Sequence, residues 1–291
     1  MGVKVFDSIK LEEIRDYIDW TPFFYTWEMR QKYPEIFEDK NFGKQALQLF
    51  EDANLLLDQV IKEDWVFAKS VIGVWPANSC GDDILVYEND KVIETICCLR
   101  QQNKKYGSNM SLSDYIAPKS SNREDYIGAF VCTAGLGIEK KLKEFEKDFD
   151  DYNIIMLKAL ADRLAEALTE FMHEKLRKEI WGYSLKEKLS NNDLIAEKYI
   201  GIRPAPGYTA CPDHSEKLKI FDLLNAKENI GVSLTESMAM YPNSSVSGYY
   251  FSHPNSKYFS VGKVEEDQVK DYARRKKMTI NETEKWLRSN M

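Results

Sequence analysis

The stretch from Arg203 to His214 constrains this chain more than any other: Arg-Pro-Ala-Pro-Gly-Tyr-Thr-Ala-Cys-Pro-Asp-His. Each proline fixes its own φ, lacks an N–H and biases the residue before it toward extended backbone. Gly207 can take a φ closed to its neighbours. Such a segment can be neither helix nor central strand, so it must be a stiff, shaped loop. A stiff loop gives up little further entropy when it grips a ligand. The carbonyls of Pro204 and Pro206, with the N–H groups of Ala205 and Tyr208, offer an edge that could read a flat heterocycle. Arg203 offers a planar fork suited to a carboxylate, and Tyr208 an aromatic face. A plain proline-rich connection is the alternative reading of the same residues.

The pattern around the loop predicts a mixed fold. Apolar residues at helical spacing predict helices over 9–18, 43–63 and 151–183, with shorter ones over 191–199, 214–228 and 265–277. Strands are predicted at 66–75, 84–88, 92–98 and 126–133, with Asn89-Asp90 as a hairpin turn. A second hairpin is expected from strands at 245–253 and 258–264, joined by Pro254-Asn255-Ser256-Lys257. Residues 103–124 read as a polar surface excursion. Gly135-Leu136-Gly137 lacks the third glycine and distal acid of a dinucleotide loop and reads as a tight turn. Thr279-Ile280-Asn281-Glu282 is a capping box for a last helix. No repeat or flexible linker interrupts the chain, so residues 1–291 are expected to form one α+β domain.

Composition removes several functions. A formal charge of -7 argues against a nucleic-acid face. The run Arg274-Arg275-Lys276-Lys277 reads as a solvated helix face. The five cysteines show no paired spacing, so neither a disulfide framework nor a metal site is expected. No apolar run approaches membrane-spanning length and no signal peptide is visible, which makes the cytoplasm the default and a membrane partner unexpected. Asp19, just before the aromatic run Trp20–Trp27, is either a helix N-cap or a ligand group. Glu166 borders the apolar stripe of the longest helix, with Glu170 four residues on along the same side.

Gly201-Ile202-Arg203-Pro204-Ala205-Pro206-Gly207-Tyr208, followed by Ala210-Cys211-Pro212-Asp213-His214, resembles the S-adenosylmethionine-binding loop of the activation module of cobalamin-dependent methionine synthases. The resemblance runs from Tyr17-Ile18-Asp19-Trp20-Thr21-Pro22-Phe23-Phe24 to Asp271-Tyr272-Ala273-Arg274-Arg275, almost the whole chain. It implies a C-shaped domain with a bent antiparallel sheet flanked by long helices. It implies S-adenosylmethionine contacts at Asp19, Glu166, Arg203, Ala205, Gly207, Tyr208, Tyr258 and Phe259, with Glu197 and His214 as further candidates. Position 259 is often tyrosine in the family pattern, so a hydroxyl is missing here.

The resemblance also implies a role. Such modules repair a cobalamin that has been oxidised to cob(II)alamin, using an electron from a flavodoxin-like reductant and the methyl group of S-adenosylmethionine. The cobalamin belongs to a partner domain, and this chain has no Asp-x-His-x-x-Gly motif to bind it. No catalytic acid, base or nucleophile is expected, because the reduced cobalamin is itself the nucleophile. The start just before the family pattern favours an excised module over a separately encoded relative. His214 and the aromatic residues Tyr249, Tyr250 and Tyr258 are candidates for the rim of a docking surface, with closure of the core as the alternative reading, above all for Tyr249 and Phe251. Lys140, Lys141, Lys143 and the run from Arg274 to Lys277 are expected to attract the reductant. A stand-alone sensor or a small-molecule methyltransferase are the rival classes.

Overall fold

Two strands buried on both faces organise the structure, a computed structural model that describes residues 2–102 and 107–291. In chain order the elements are β1 (Gly2–Ile9), α1 (Leu11–Arg15), α2 (Thr21–Thr26), α3 (Gly43–Lys62), β2 (Phe67–Cys80), β3 (Asp83–Glu88), β4 (Lys91–Cys97), β5 (Tyr126–Leu136), α4 (Ile138–Lys147), α5 (Asp151–Lys175), α6 (Asn191–Ile195), α7 (Glu216–Leu224), α8 (Ala226–Ile230), β6 (Ser233–Leu234), β7 (Met240–Tyr241), β8 (Ser245–Tyr250), α9 (Glu266–Lys276) and α10 (Ile280–Leu287). The expected excursion at 103–124 begins on residues outside those described.

The main sheet is antiparallel, in the order β4-β3-β2-β5-β8, with β1 also on β2. Side chains alternate between the faces of a strand, and here both sets are apolar. Ile72 and Val74 of β2, with Phe130 and Cys132 of β5, enter one core with α3 and α5. Val71 and Trp75, with Ala129 and Val131, enter the other with α7, α8 and α9. β2 changes neighbours along its length. Ala68 to Val74 pair with β1, and Ala77 to Cys80 pair with β3. Pro76, which has no N–H to donate, stands at the change. The mixed helix-and-antiparallel-sheet class is as the sequence leads one to expect.

Several details differ from the sequence reading, each for a visible reason. β1 is an additional strand, mostly exposed, with Lys4 and Asp7 along it. Residues 258–264 form no strand and no second hairpin. Ile202 takes the position beside Phe251 instead, exchanging both backbone hydrogen bonds with it at 3.0 and 2.9 Å. The longest helix ends at Lys175 and widens into a π turn over Leu176–Ile180. The helix expected over 214–228 breaks at Asn225, which adopts a left-handed conformation. The Asn89-Asp90 turn and the Thr279 capping box are present as expected.

Only half of the basic run is a solvated face: Arg274 and Lys277 are exposed, while Arg275 and Lys276 turn inward. Lys276 is buried and joins Asp213 and Glu216 at 2.5 and 2.8 Å, while Arg275 pairs with Asp271 and Asp83. Tyr249 and Tyr250 are core residues rather than a rim, and Phe251 is buried beside them. Among the described residues no helix is long and apolar enough to cross a membrane, and no cluster of potential metal ligands occurs.

Candidate functional site

The proline-rich loop is built onto the sheet. Ile202 pairs with Phe251, and Pro204 O accepts from the Tyr249 N–H at 3.0 Å, so residues 202–204 run along the outer edge of β8. Gly248 permits that approach, since a Cβ there would lie 2.8 Å from Pro204 O. The loop then turns back on itself. Gly207 N donates to Cys211 O at 2.7 Å, and Tyr208 N to Ala205 O at 3.2 Å. Gly207 has φ +95°, and a Cβ there would stand 2.1 Å from the His214 ring. At the far end Asp213 accepts from Ser215 N, Tyr272 Oη and Lys276 Nζ.

This folding corrects the edge expected for reading a heterocycle. The Pro204 carbonyl and the Tyr208 N–H are engaged within the protein. The Ala205 N–H and the Pro206 carbonyl take no backbone partner among the described residues. They are what remains for a ligand.

Beside the loop lies a groove of two adjoining lobes, about 340 and 360 Å3, that share Glu166, Glu197 and Arg203. The first lobe is largely apolar, lined by Phe130, Val246, Ala205, Ala210, Tyr208 and Tyr258. The second is charged, lined by Asp19, Arg163, Glu170 and Tyr17 besides the shared residues. A cavity of about 500 Å3 by Tyr87, Lys119, Arg123 and Tyr126 is larger. It contains none of the expected site residues, so chemistry rather than size favours the groove.

Each expected residue can now be placed. Asp19 lines the charged lobe, and its Oδ1 accepts from Thr21 N, two residues on, at 2.9 Å. The N-cap residue of α2 is Trp20, so Asp19 stands one residue before the cap and braces the first turn, with its second oxygen left for the lobe. Glu166 and Glu197 are exposed where the lobes meet, Glu197 with a left-handed φ of 54°. Tyr208 is 69% exposed on the apolar lobe. Tyr258 Oη accepts from Arg203 N at 3.0 Å. Phe259 does not reach the groove: its ring is in the core, edge-on to Tyr115. His214 is also absent from the lining, but it is exposed, its ring against Gly207 and its Nδ1 3.1 Å from Lys217 Nζ. Burial and then Lys217 lower its proton affinity.

Arg203 is the hub. Its Nη2 lies 2.8 Å from Glu170 Oε2, and Nη1 donates to Tyr199 Oη at 2.8 Å and meets His173 Nδ1 at 3.2 Å. Burial opposes the Arg203 charge, but Glu170 and the surrounding oxygens more than offset it and raise its pKa. Burial pushes Glu170 above the ordinary carboxylate range, against the pull of Arg203 and Arg177. Burial, then Arg177 and Arg203, drive His173 well below its ordinary value. A neutral His173 whose Nδ1 accepts from Arg203 carries its proton on Nε2. Nε of Arg203 has no partner among the described residues. Tyr199 and His173 were not singled out in the sequence. His173 lies seven residues after Glu166 and three after Glu170, so helical spacing alone puts all three along one side of α5.

A flat group would fit the apolar lobe between aromatic rings, with the free loop edge beside it. A zwitterionic tail would fit the charged lobe, between acids and Arg203. A vitamin B12 dependent methionine synthase activation domain model matches residues 10–277. A crystal structure of the MetH reactivation domain bound to AdoHcy is similar, with a TM-score of 0.97 and 51% identity, covering 100% of this chain and 90% of that one. The chain belongs to the family of vitamin B12-dependent methionine synthase activation domains.

Proposed function

We propose that this chain binds S-adenosylmethionine in the two-lobed groove and serves the reductive remethylation of cobalamin in methionine synthase. One observation carries the reading: Arg203 joins an apolar lobe to an acid-lined lobe, and the ligand has the same polarity from end to end. The AdoHcy named for the similar structure is its demethylated form. The adenine lies in the apolar lobe, with its edge on Ala205 N and Pro206 O and its faces toward Tyr208 and Tyr258. The α-carboxylate meets the Nε edge of Arg203 and the α-amino group meets Asp19. Glu166 and Glu197, at the junction, lie beside the sulfonium and favour its positive charge.

Cobalamin, held by another domain, supplies the nucleophile for the methyl group once a reductant has reduced it. This chain contributes position: it orients the methyl–sulfur axis toward the open side of the groove. No general base is required of it. The module turns over nothing alone, since it holds a donor and no acceptor. A flavodoxin-like reductant would meet a chain of net charge -7. Lys141 lies over the Trp65 ring and Lys276 is paired inside, so the exposed Lys140, Lys143, Arg274 and Lys277 are the better steering cations. Residues 1–291 act as one domain in this reading.

The test has two steps. Calorimetric titration of S-adenosylmethionine should show a single site with no added metal. Mixing the loaded chain with a cobalamin-binding domain and reduced flavodoxin should then transfer the methyl group, and omission of either should abolish transfer. A flat titration on folded protein defeats the reading. Binding without transfer makes the chain a sensor, and methylation of a small acceptor without cobalamin makes it a methyltransferase of another kind.

A further inference from the structure

Arg203 arrives at the groove with its guanidinium gripped from behind. Of its three side-chain holders, Tyr199 and the neutral His173 fix position without supplying charge. Glu170 supplies the counter-charge from a side chain only 10% exposed. Behind Glu170 stands Arg177, fully buried, whose Nε and Nη2 clasp Glu187 at 2.7–3.1 Å. Glu170 therefore lies between two arginines. Its Oε1 faces Arg177 Nη1 at 3.9 Å, and both atoms lack hydrogen-bond partners among the described residues. A buried carboxylate so placed cannot swing away without leaving Arg203 uncompensated, since Arg177 has Glu187 but Arg203 has no other carboxylate within ion-pair distance among the described residues. The π turn at Leu176–Ile180, of a kind frequent at functional sites, is the segment that carries Arg177.

We propose that Glu170 is a positioning residue, holding the Arg203 guanidinium so that its unpartnered Nε edge faces the carboxylate of the bound ligand. The proposal deepens the ligand reading above and rests on it. Bidentate recognition needs the fork aligned with the carboxylate plane. A guanidinium held only by Tyr199 and His173 keeps its place in the groove but loses the bond that fixes Nη2.

Two substitutions test this in the full chain. Glu170→Gln keeps the shape and removes the charge, while Glu170→Asp keeps the charge one methylene short. Each is titrated with S-adenosylhomocysteine and with 5′-methylthioadenosine, which has the adenosine but neither the carboxylate nor the amino group. Both variants should lose at least roughly tenfold in affinity for the first ligand and stay within about twofold for the second. Arg203→Ala should show the same split. Wild-type affinity of the variants for S-adenosylhomocysteine overturns the proposal. So does equal weakening for both ligands, because Glu170 would then only maintain the fold. If Glu170→Gln fails to fold, Glu170→Asp decides. A wild-type chain that binds neither ligand defeats the ligand reading itself, and an Arg203→Ala variant that binds both normally removes Arg203 as the anchor.

Discussion

Gly207 shows how tightly single residues are constrained in this loop. Its positive φ costs a residue with a side chain about 1–2 kcal/mol, and its missing Cβ makes room for the His214 ring. Gly207→Ala should therefore destabilise the chain by about 2 kcal/mol or more in a urea titration, strain and overlap together. Adding His214→Ala should recover the part due to overlap and leave the part due to φ. A fully restored double variant would mean that the backbone conformation is not strained. Much at this scale was legible beforehand. Prolines and glycine announced a rigid loop, and Arg203 stood out as its only cation before His214. Which carbonyls and N–H groups remained for a ligand was not legible. That depended on Tyr249 N reaching Pro204 O across 45 residues of sequence. A ring suited to a ligand wall is equally suited to a core, and the core is where the Phe259 ring lies.

Among the elements, α5 carries the polar centre of the molecule. Its apolar stripe was plain from residue spacing, and so was the shared side of Glu166 and Glu170. The depth of Glu170 was not, because a helix pattern places a boundary residue without revealing what lies over it. Arg177 continues α5 into the π turn, seven residues after Glu170, whereas Tyr199 comes from a later segment that only the tertiary fold brings back. The buried neutral His173 gives this element a measurable pH dependence. Its folded pKa is depressed, so the unfolded chain takes up a proton that the folded chain refuses. The contribution is fully present above the unfolded value, near pH ~6.5, and is lost as pH falls, by about 1.4 kcal/mol per pH unit. Urea midpoints should therefore fall between about pH 7 and pH 5.5 in the wild type and fall less in His173→Asn. Equal slopes would mean that His173 titrates normally in the fold.

At the scale of the whole molecule, the two cores share β2 and β5, whose alternate side chains serve one and then the other. Neither core can lose its strands without exposing the second. Scanning calorimetry should accordingly show one transition, with calorimetric and van't Hoff enthalpies equal. Two resolved transitions would divide the chain into two domains. The pairing of residues 202–204 with β8 has a consequence apart from recognition. β8 is buried along most of its length and would otherwise present a row of free N–H and C=O groups at the end of the sheet. Such a row is a template on which another chain can add a strand. The loop proposed to grip the ligand also covers that template, so damage to it threatens solubility as well as affinity.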